Sequence, residues 1–207
     1  MTRLLLICVA SAALFAQSPA DVVVRVETTL GNFDIAVDVK RAPITAANFL
    51  KYVDAGLYTN GRFHRVTRPD NYKAAPPDRP MMELIQGGLG PEAKGKEFPP
   101  IPLERTSVTN LKHVAGTVSM ARGGPDSATA EFFVLLDDQP SLDFGGKRFP
   151  DEQGAAAFGR VIAGLDVVRK IQQQPVRTGE GQNPQSLAEP VQIARIVRIK
   201  SGTVSTR

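Results

Sequence analysis

The side chains able to do bond-breaking chemistry are few and poorly placed for it. The two histidines, His64 and His113, stand far apart in the chain. No HExxH or paired CxxC occurs, so metal-site spacing is absent. Cys8 is the only cysteine, and it falls inside an apolar run near the start of the chain. There is no P-loop; Gly145-Gly146-Lys147 reads as a turn that carries a lysine. Neither GxSxG nor a Ser/His/Asp order is discernible. What remains is a set of cations, amides and aromatics on short segments, of which Phe63-His64-Arg65-Val66 is the most distinctive.

Such a set usually means binding, but one kind of catalysis needs no nucleophile, metal or cofactor. Rotation about an Xaa-Pro amide breaks no covalent bond; its barrier, about 18 to 20 kcal/mol, comes from resonance between carbonyl and nitrogen. Uncatalysed exchange takes tens to hundreds of seconds. A protein lowers that barrier by holding the ring in an apolar pocket and donating hydrogen bonds from a cation to the twisted amide.

The elements that would position these groups are mostly strands. Gly and Pro are frequent, 18 and 16 of 207 residues, as suits a turn-rich β protein. Val22 to Thr28 and Phe33 to Val39, separated by Leu30-Gly31-Asn32, read as a hairpin. Ala42 to Ala55 has apolar residues at helical spacing, with Pro43 in the first turn and Gly56 at the stop. Short strands are expected at Arg62 to Thr67, Met82 to Gln86, Thr117 to Ala121, Glu131 to Leu136 and Ala157 to Ile162. A second helix is expected over Leu165 to Gln174, and Val191 to Lys200 alternates apolar with polar as a last strand. Arg68 to Pro80 and Gly90 to Pro102 read as surface loops. Many antiparallel strands with two helices imply a barrel or sandwich.

Residues 1–20, MTRLLLICVASAALFAQSPA, carry one cation, an apolar run from Leu4 to Phe15 and a small-residue end, the pattern of a signal peptide cut after Ala20. The run is too short for a membrane span, which takes roughly 20 apolar residues. The expected organisation is therefore a signal peptide over 1–20, one domain over 21–200 and a frayed tail over 201–207, in a protein that is periplasmic or secreted. Without Cys8 the mature chain has no thiol chemistry. Setting Arg3 aside leaves 24 cations against 21 anions, too even a balance to indicate nucleic acid.

Phe63-His64-Arg65-Val66, Ile85-Gln86-Gly87-Gly88, Gly116-Thr117-Val118-Ser119-Met120-Ala121, Gly124-Pro125, Glu131-Phe132-Phe133-Val134, Leu142-Asp143 and Phe158-Gly159-Arg160-Val161 follow one another along the chain. In that order they resemble the cyclophilin-type peptidyl-prolyl isomerases over most of residues 22 to 200. The resemblance implies a mainly β fold, a closed eight-stranded antiparallel barrel capped by two helices, with a proline groove on its outside. It also implies a cofactor-independent monomer acting on proline-containing polypeptides, with neither nucleic acid nor metal. Arg65 becomes the catalytic cation, and Phe63, Leu84, Gln86, Ala121, Arg122, Glu131, Phe133 and Leu142 become substrate-binding residues. Strand alternation tests this: if Arg65 faces the groove, His64 faces inward, and Leu84 with Gln86, and Glu131 with Phe133, share the groove face while Phe132 enters the core.

The chain departs from the family pattern at several groove positions. Gln is usual where Glu131 stands, Asn where Arg122 stands, and an aromatic two or three places before Gln86, where Leu84 and Glu83 stand. The usual Trp is replaced by Ser141, and the usual His is missing near Ala155, so a thinner second wall is expected. Glu131 is expected to pair with Arg65, and the Arg68 to Pro80 loop to overhang the groove. The competing class of function is a non-catalytic proline-peptide binder, a chaperone or scaffold using the same groove.

Overall fold

A computed structural model of the chain describes residues 22–72 and 81–199. The leader expected over 1–20, the tail over 201–207 and residues 73–80 of the first long loop lie outside the described residues. Eight strands run β1 Val22–Thr28, β2 Gly31–Val37, β3 Gly61–Thr67, β4 Leu84–Gly88, β5 Thr117–Met120, β6 Phe132–Leu135, β7 Ala156–Ala163 and β8 Ser186–Ile199. They close into a barrel in the order β1-β2-β7-β5-β6-β4-β3-β8, every pair antiparallel. Closure leaves no free sheet edge.

Helices α1 (Pro43–Asp54) and α3 (Leu165–Gln172) are those expected; α2 (Thr106–Thr109) is a single extra turn in the long β4–β5 connection. Pro43 opens α1, where a missing N–H costs nothing. The helix stops at Gly56, whose φ of +67° lets its N–H reach the Val53 carbonyl and the Leu57 N–H reach that of Tyr52. The start is held from a distance: the Glu104 carboxylate accepts from the Ile44 N–H (3.1 Å) and the Thr45 N–H (2.6 Å). A negative charge there complements the helix dipole.

Alternation along the strands builds two separate apolar clusters. Inside the barrel, Phe49 of α1 meets Tyr58, Phe132 and Phe158, and Phe63 packs edge-on against Phe132. Outside it, Met82, Leu84, Phe133, Leu135, Leu142 and Ala155 form a smaller cluster, with Ala121 and Phe149 packed on it. Phe132 and Phe133 thus lie on opposite sides of one strand, as expected.

One expected alternation fails. Phe63 pairs with Gly87 and Arg65 with Gln86, so His64 is an extra residue, a bulge in β3. The bulge points Phe63 inward, where it is fully buried, and leaves His64 outside, 3.6 Å from the Glu131 carboxylate with 44% of its side chain exposed. Phe63 is therefore a core residue rather than a groove residue, and His64 does not face the interior.

Phe132→Ala should lower the free energy of unfolding by about 3 to 5 kcal/mol, the cost of a large aromatic cavity. Glu104→Ala should cost about 1 kcal/mol, as loss of a helix cap does. Urea unfolding followed by circular dichroism checks both, the midpoint falling at unchanged slope.

Candidate active site

Arg65 lies at the centre of the outer face. The bulge sets it opposite Gln86 of β4 on one side and Ser186 of β8 on the other. Its Nη1 donates to the Gln86 carboxamide oxygen at 2.7 Å, and its Nε and Nη2 both donate to that of Gln185, at 2.9 and 2.7 Å. Gln185 is in turn fixed by its backbone, whose carbonyl accepts the Val66 N–H at 2.9 Å. A guanidinium has five N–H groups. These three contacts leave one on each Nη without an acceptor among the described residues.

Burial foremost, and then the positive charge of Arg148, push the Arg65 guanidinium below its ordinary value, while Tyr72 acts in the opposite direction. Arginine stays charged through such a shift. The consequence is a partly desolvated cation whose partners are neutral.

The apolar floor beside it is the outer cluster. Phe133 is 6% exposed and Leu84 and Leu142 2% each, so Phe133 is the most open of the three, and the leucines pack with it in the same cluster. Ala121, bonded through its N–H to the Glu131 carbonyl at 2.9 Å, edges the floor. Beneath Phe133 the His113 ring stacks at 6.4 Å between centroids and 17° between planes.

His113 belongs to an arrangement that sequence order did not disclose. Its Nδ1 contacts Asp143 Oδ1 at 2.8 Å and its Nε2 contacts Ser119 Oγ at 3.0 Å. Ser119, His113 and Asp143 thus form a chain with the connectivity of a hydrolase triad. Its serine is fully buried and the histidine 1% exposed, so no substrate carbonyl reaches the hydroxyl. The chain is a support for Phe133.

Glu131 does not pair with Arg65. It accepts from Gln86 Nε2 at 3.3 Å and stands near His64, its carboxylate lying over Gly88, where any Cβ would collide with Oε1 at 2.5 Å. Gln86 therefore divides the two charges, offering its oxygen to Arg65 and its NH2 to Glu131. The expected ion pair between Glu131 and Arg65 is absent, because Gln86 stands between the two groups.

Arg122 also differs from its expected role. Its side chain is 1% exposed, forked onto Asp151 at 2.7 and 2.8 Å, bonded to the Gly154 carbonyl at 2.7 Å and laid over the Phe149 ring at 3.8 Å. Its charge is spent on the segment before β7, which it holds against the floor. One edge of Arg122 lines a small cavity with Ile101, Leu103, Met120, Ala128 and Ala156. Phe149, held this way, packs on the outer cluster beside the floor. Gln185 and Phe149 are the site residues that sequence reasoning missed; both lie in Gly- and Pro-rich segments with no periodic signal.

The comparisons with known proteins agree with this geometry. The family model for cyclophilin-type peptidyl-prolyl cis-trans isomerases matches residues 23–199. Peptidyl-prolyl cis-trans isomerase A of Dickeya dadantii is 34% identical over 203 residues, covering 95% of this chain and 98% of that protein. Peptidyl-prolyl cis-trans isomerase B of Escherichia coli is 34% identical over 149 residues, 72% of this chain and 82% of that one. Among solved structures, a Cryptosporidium parvum cyclophilin-type isomerase crystallised in the presence of the dipeptide Ala-Pro superposes with a TM-score of 0.65 at 22% identity, over 86% of this chain and 99% of that one. A closed antiparallel barrel with an arginine-centred outer groove defines a class, the cyclophilin-like barrels. The chain belongs to the cyclophilin-type peptidyl-prolyl cis-trans isomerases.

Gln185→Ala should reduce kcat/KM on peptide substrates by on the order of tenfold, about 1.4 kcal/mol, by freeing Arg65 to swing; the unfolding midpoint should hardly move. The acid limit of stability tests a second feature. Burial tends to raise Asp143, but hydrogen bonds from the His113 ring and backbone, with the charges of His113 and Lys112, outweigh it and hold the carboxyl low. The Arg122 hydrogen bond holds Asp151 low. Both groups bind protons less readily folded than unfolded. Their contribution is therefore complete above the unfolded carboxylate value, about 3.9, and is lost as pH falls through the lower folded values. Asp137, pushed up chiefly by burial, works in the opposite sense. Asp151→Asn should be less stable than wild type at pH 7 and lose less stability on acidification, as urea midpoints measured from pH 7 to 3 will show.

Proposed function

We propose that the protein accelerates cis/trans exchange at Xaa-Pro bonds of exported polypeptides while they fold. The observation that carries the catalytic part is Arg65, held between two carboxamides and beside the Phe133 floor. The proline ring sits on Phe133, with Leu142 and Ala121 around it and Phe149 at the side. The two uncommitted N–H groups of Arg65 donate to the substrate amide, to its carbonyl oxygen in the planar states or to its nitrogen as the bond twists. Twisting localises the nitrogen lone pair, so a donor placed there favours the transition state over either planar isomer. Neutral partners matter because a carboxylate in the place of Gln185 would offset the charge that does the work.

The exported setting is supported by the signal-peptide pattern at residues 1–20. The clients are then unfolded chains emerging outside the cytoplasm, where slow proline exchange limits folding. A shallow outer groove accommodates a segment of a longer polypeptide.

Arg65→Ala should lower kcat/KM for a standard Ala-Pro peptide by about 10²- to 10³-fold, the loss typical of one preorganised donor, in a protease-coupled isomerisation assay, with an unchanged fold. A wild-type protein that binds the peptide yet gives no rate above the uncatalysed one would favour the non-catalytic binder instead. Export is checked by expressing the full chain in a bacterial host and locating the processed form, whose new N-terminus is expected at Asp21.

A further inference from the structure

Six of the described arginines rest on carboxylates. Arg25, Arg41, Arg68, Arg122, Arg195 and Arg198 each lie 2.6 to 2.9 Å from an Asp or Glu oxygen. The two beside the groove do not. Arg65 meets only carboxamides, and Arg148 donates from Nη1 to the Tyr72 hydroxyl at 2.6 Å. Among the described residues neither has an acidic partner.

Arg148 is fixed in place by its surroundings. Its N–H donates to the carbonyl of Ser141, the residue before Leu142 of the floor, at 3.1 Å, and its chain neighbour Phe149 packs on that floor. Tyr72 comes from the turn that follows β3, where its N–H donates to the Arg68 carbonyl at 3.1 Å and the Arg68 N–H donates to Asn71. That turn begins three residues after Arg65. Arg148 and Tyr72 are near enough to act on the Arg65 guanidinium in opposite senses, the arginine lowering its pKa and the tyrosine raising it. Glu131, the acidic residue of the groove, is turned toward Gln86 and His64.

Arg65 and Arg148 are partly buried cations close enough to repel each other, and among the described residues neither has an anion. A ligand carboxylate that reaches Arg148 compensates the cation held only by a phenol and leaves Arg65 with its neutral partners, whereas an ammonium adds a third like charge. We propose that the groove selects proline segments with an acidic side chain beside the proline, and that Arg148, steadied by Tyr72, is the residue that reads it. The proposal rests on the groove's being the proline site and adds a substrate class to it.

The test uses three peptides with Glu, Ala or Lys before the proline, and three more with the same residues after it. Exchange NMR measures catalysed isomerisation without a coupling protease that has its own charge preference. In one of the two series the wild type should favour Glu over Lys about tenfold, the scale of one charge-assisted hydrogen bond, and 0.5 M salt should flatten the ratio. Arg148→Glu should invert it, Arg148→Lys should keep most of it, and Tyr72→Phe should weaken it. Arg148→Gln, expected to bring the ratio near unity, serves if the glutamate variant does not fold. A wild-type Glu to Lys ratio near one in both series, or the same ratio in wild type and Arg148→Glu or Arg148→Gln, overturns the proposal while the Ala-Pro rate still stands for isomerase activity. If no peptide exchanges faster than in buffer, the isomerase reading fails. Chemical-shift titration of the same peptides then gives the Glu to Lys affinity ratio, and the same outcomes decide.

Discussion

A cation proposed to act on a neutral amide has to be held without being neutralised, and the surroundings of Arg65 meet that requirement. Arg65 loses hydration where it sits, and a buried charge without partners is costly. Carboxylate partners would satisfy it and remove its field at the substrate. Carboxamides give it oxygen acceptors and no net charge. Gln86 comes from β4 and Gln185 from the turn just before β8, about a hundred residues further along the chain, so the barrel has to close before Arg65 acquires its orientation. The His64 bulge completes this, since a regular β3 would turn either Phe63 out of the core or Arg65 into it.

The barrel wall then serves two interiors. Each of its strands around the groove sends alternate residues to the aromatic core and to the outer floor: Ile85 in and Leu84 and Gln86 out, Phe132 in and Phe133 out, Val118 and Met120 in and Ser119 out. A floor whose reverse side is a packed core has little freedom to deform. The buried Ser119-His113-Asp143 chain adds a second constraint beneath Phe133. Chemistry that would be reactive at a surface here fixes one ring.

Strands and helices were legible because their signals are local. The hairpin, α1, α3 and the alternating strands fall within a few residues of where periodicity and turn residues set them, and the ordered family motifs supplied the closure that periodicity cannot. The failures are contacts set by tertiary structure. A bulge leaves no mark on alternation, so Phe63 and His64 exchanged faces. Gln185 reaches Arg65 across a sequence separation of 120, from a stretch whose prolines and glycines carry no period. Arg122 could be matched to a groove position by motif, but only the fold reveals Asp151 and Phe149 waiting for it. β8 starts at Ser186 rather than Val191 because Leu187 pairs with Val176 and Ala188 donates to Pro175, and that detour delivers Gln185.

The same contacts build up the side of the floor in a chain that lacks the Trp and His expected there. The segment between Leu142 and Ala155 is folded on itself: the Gly146 N–H meets the Asp143 carbonyl, the Arg148 N–H that of Ser141, and the Ala155 N–H that of Leu142. Such a loop would fray if it were held by backbone alone. Arg122 and Asp151 clamp its far end, and the guanidinium plane covers one side of Phe149, leaving that ring to face the floor. Because Asp151 neutralises Arg122, the clamp adds no net charge beside the groove. Beside the groove the charges are then Arg65, Glu131 turned toward Gln86 and His64, and Arg148, which has no acidic partner among the described residues. The ion-paired Arg122 and Phe149 thus present apolar surface to the floor, and the residue before Phe149 is Arg148, held by Tyr72 and Ser141.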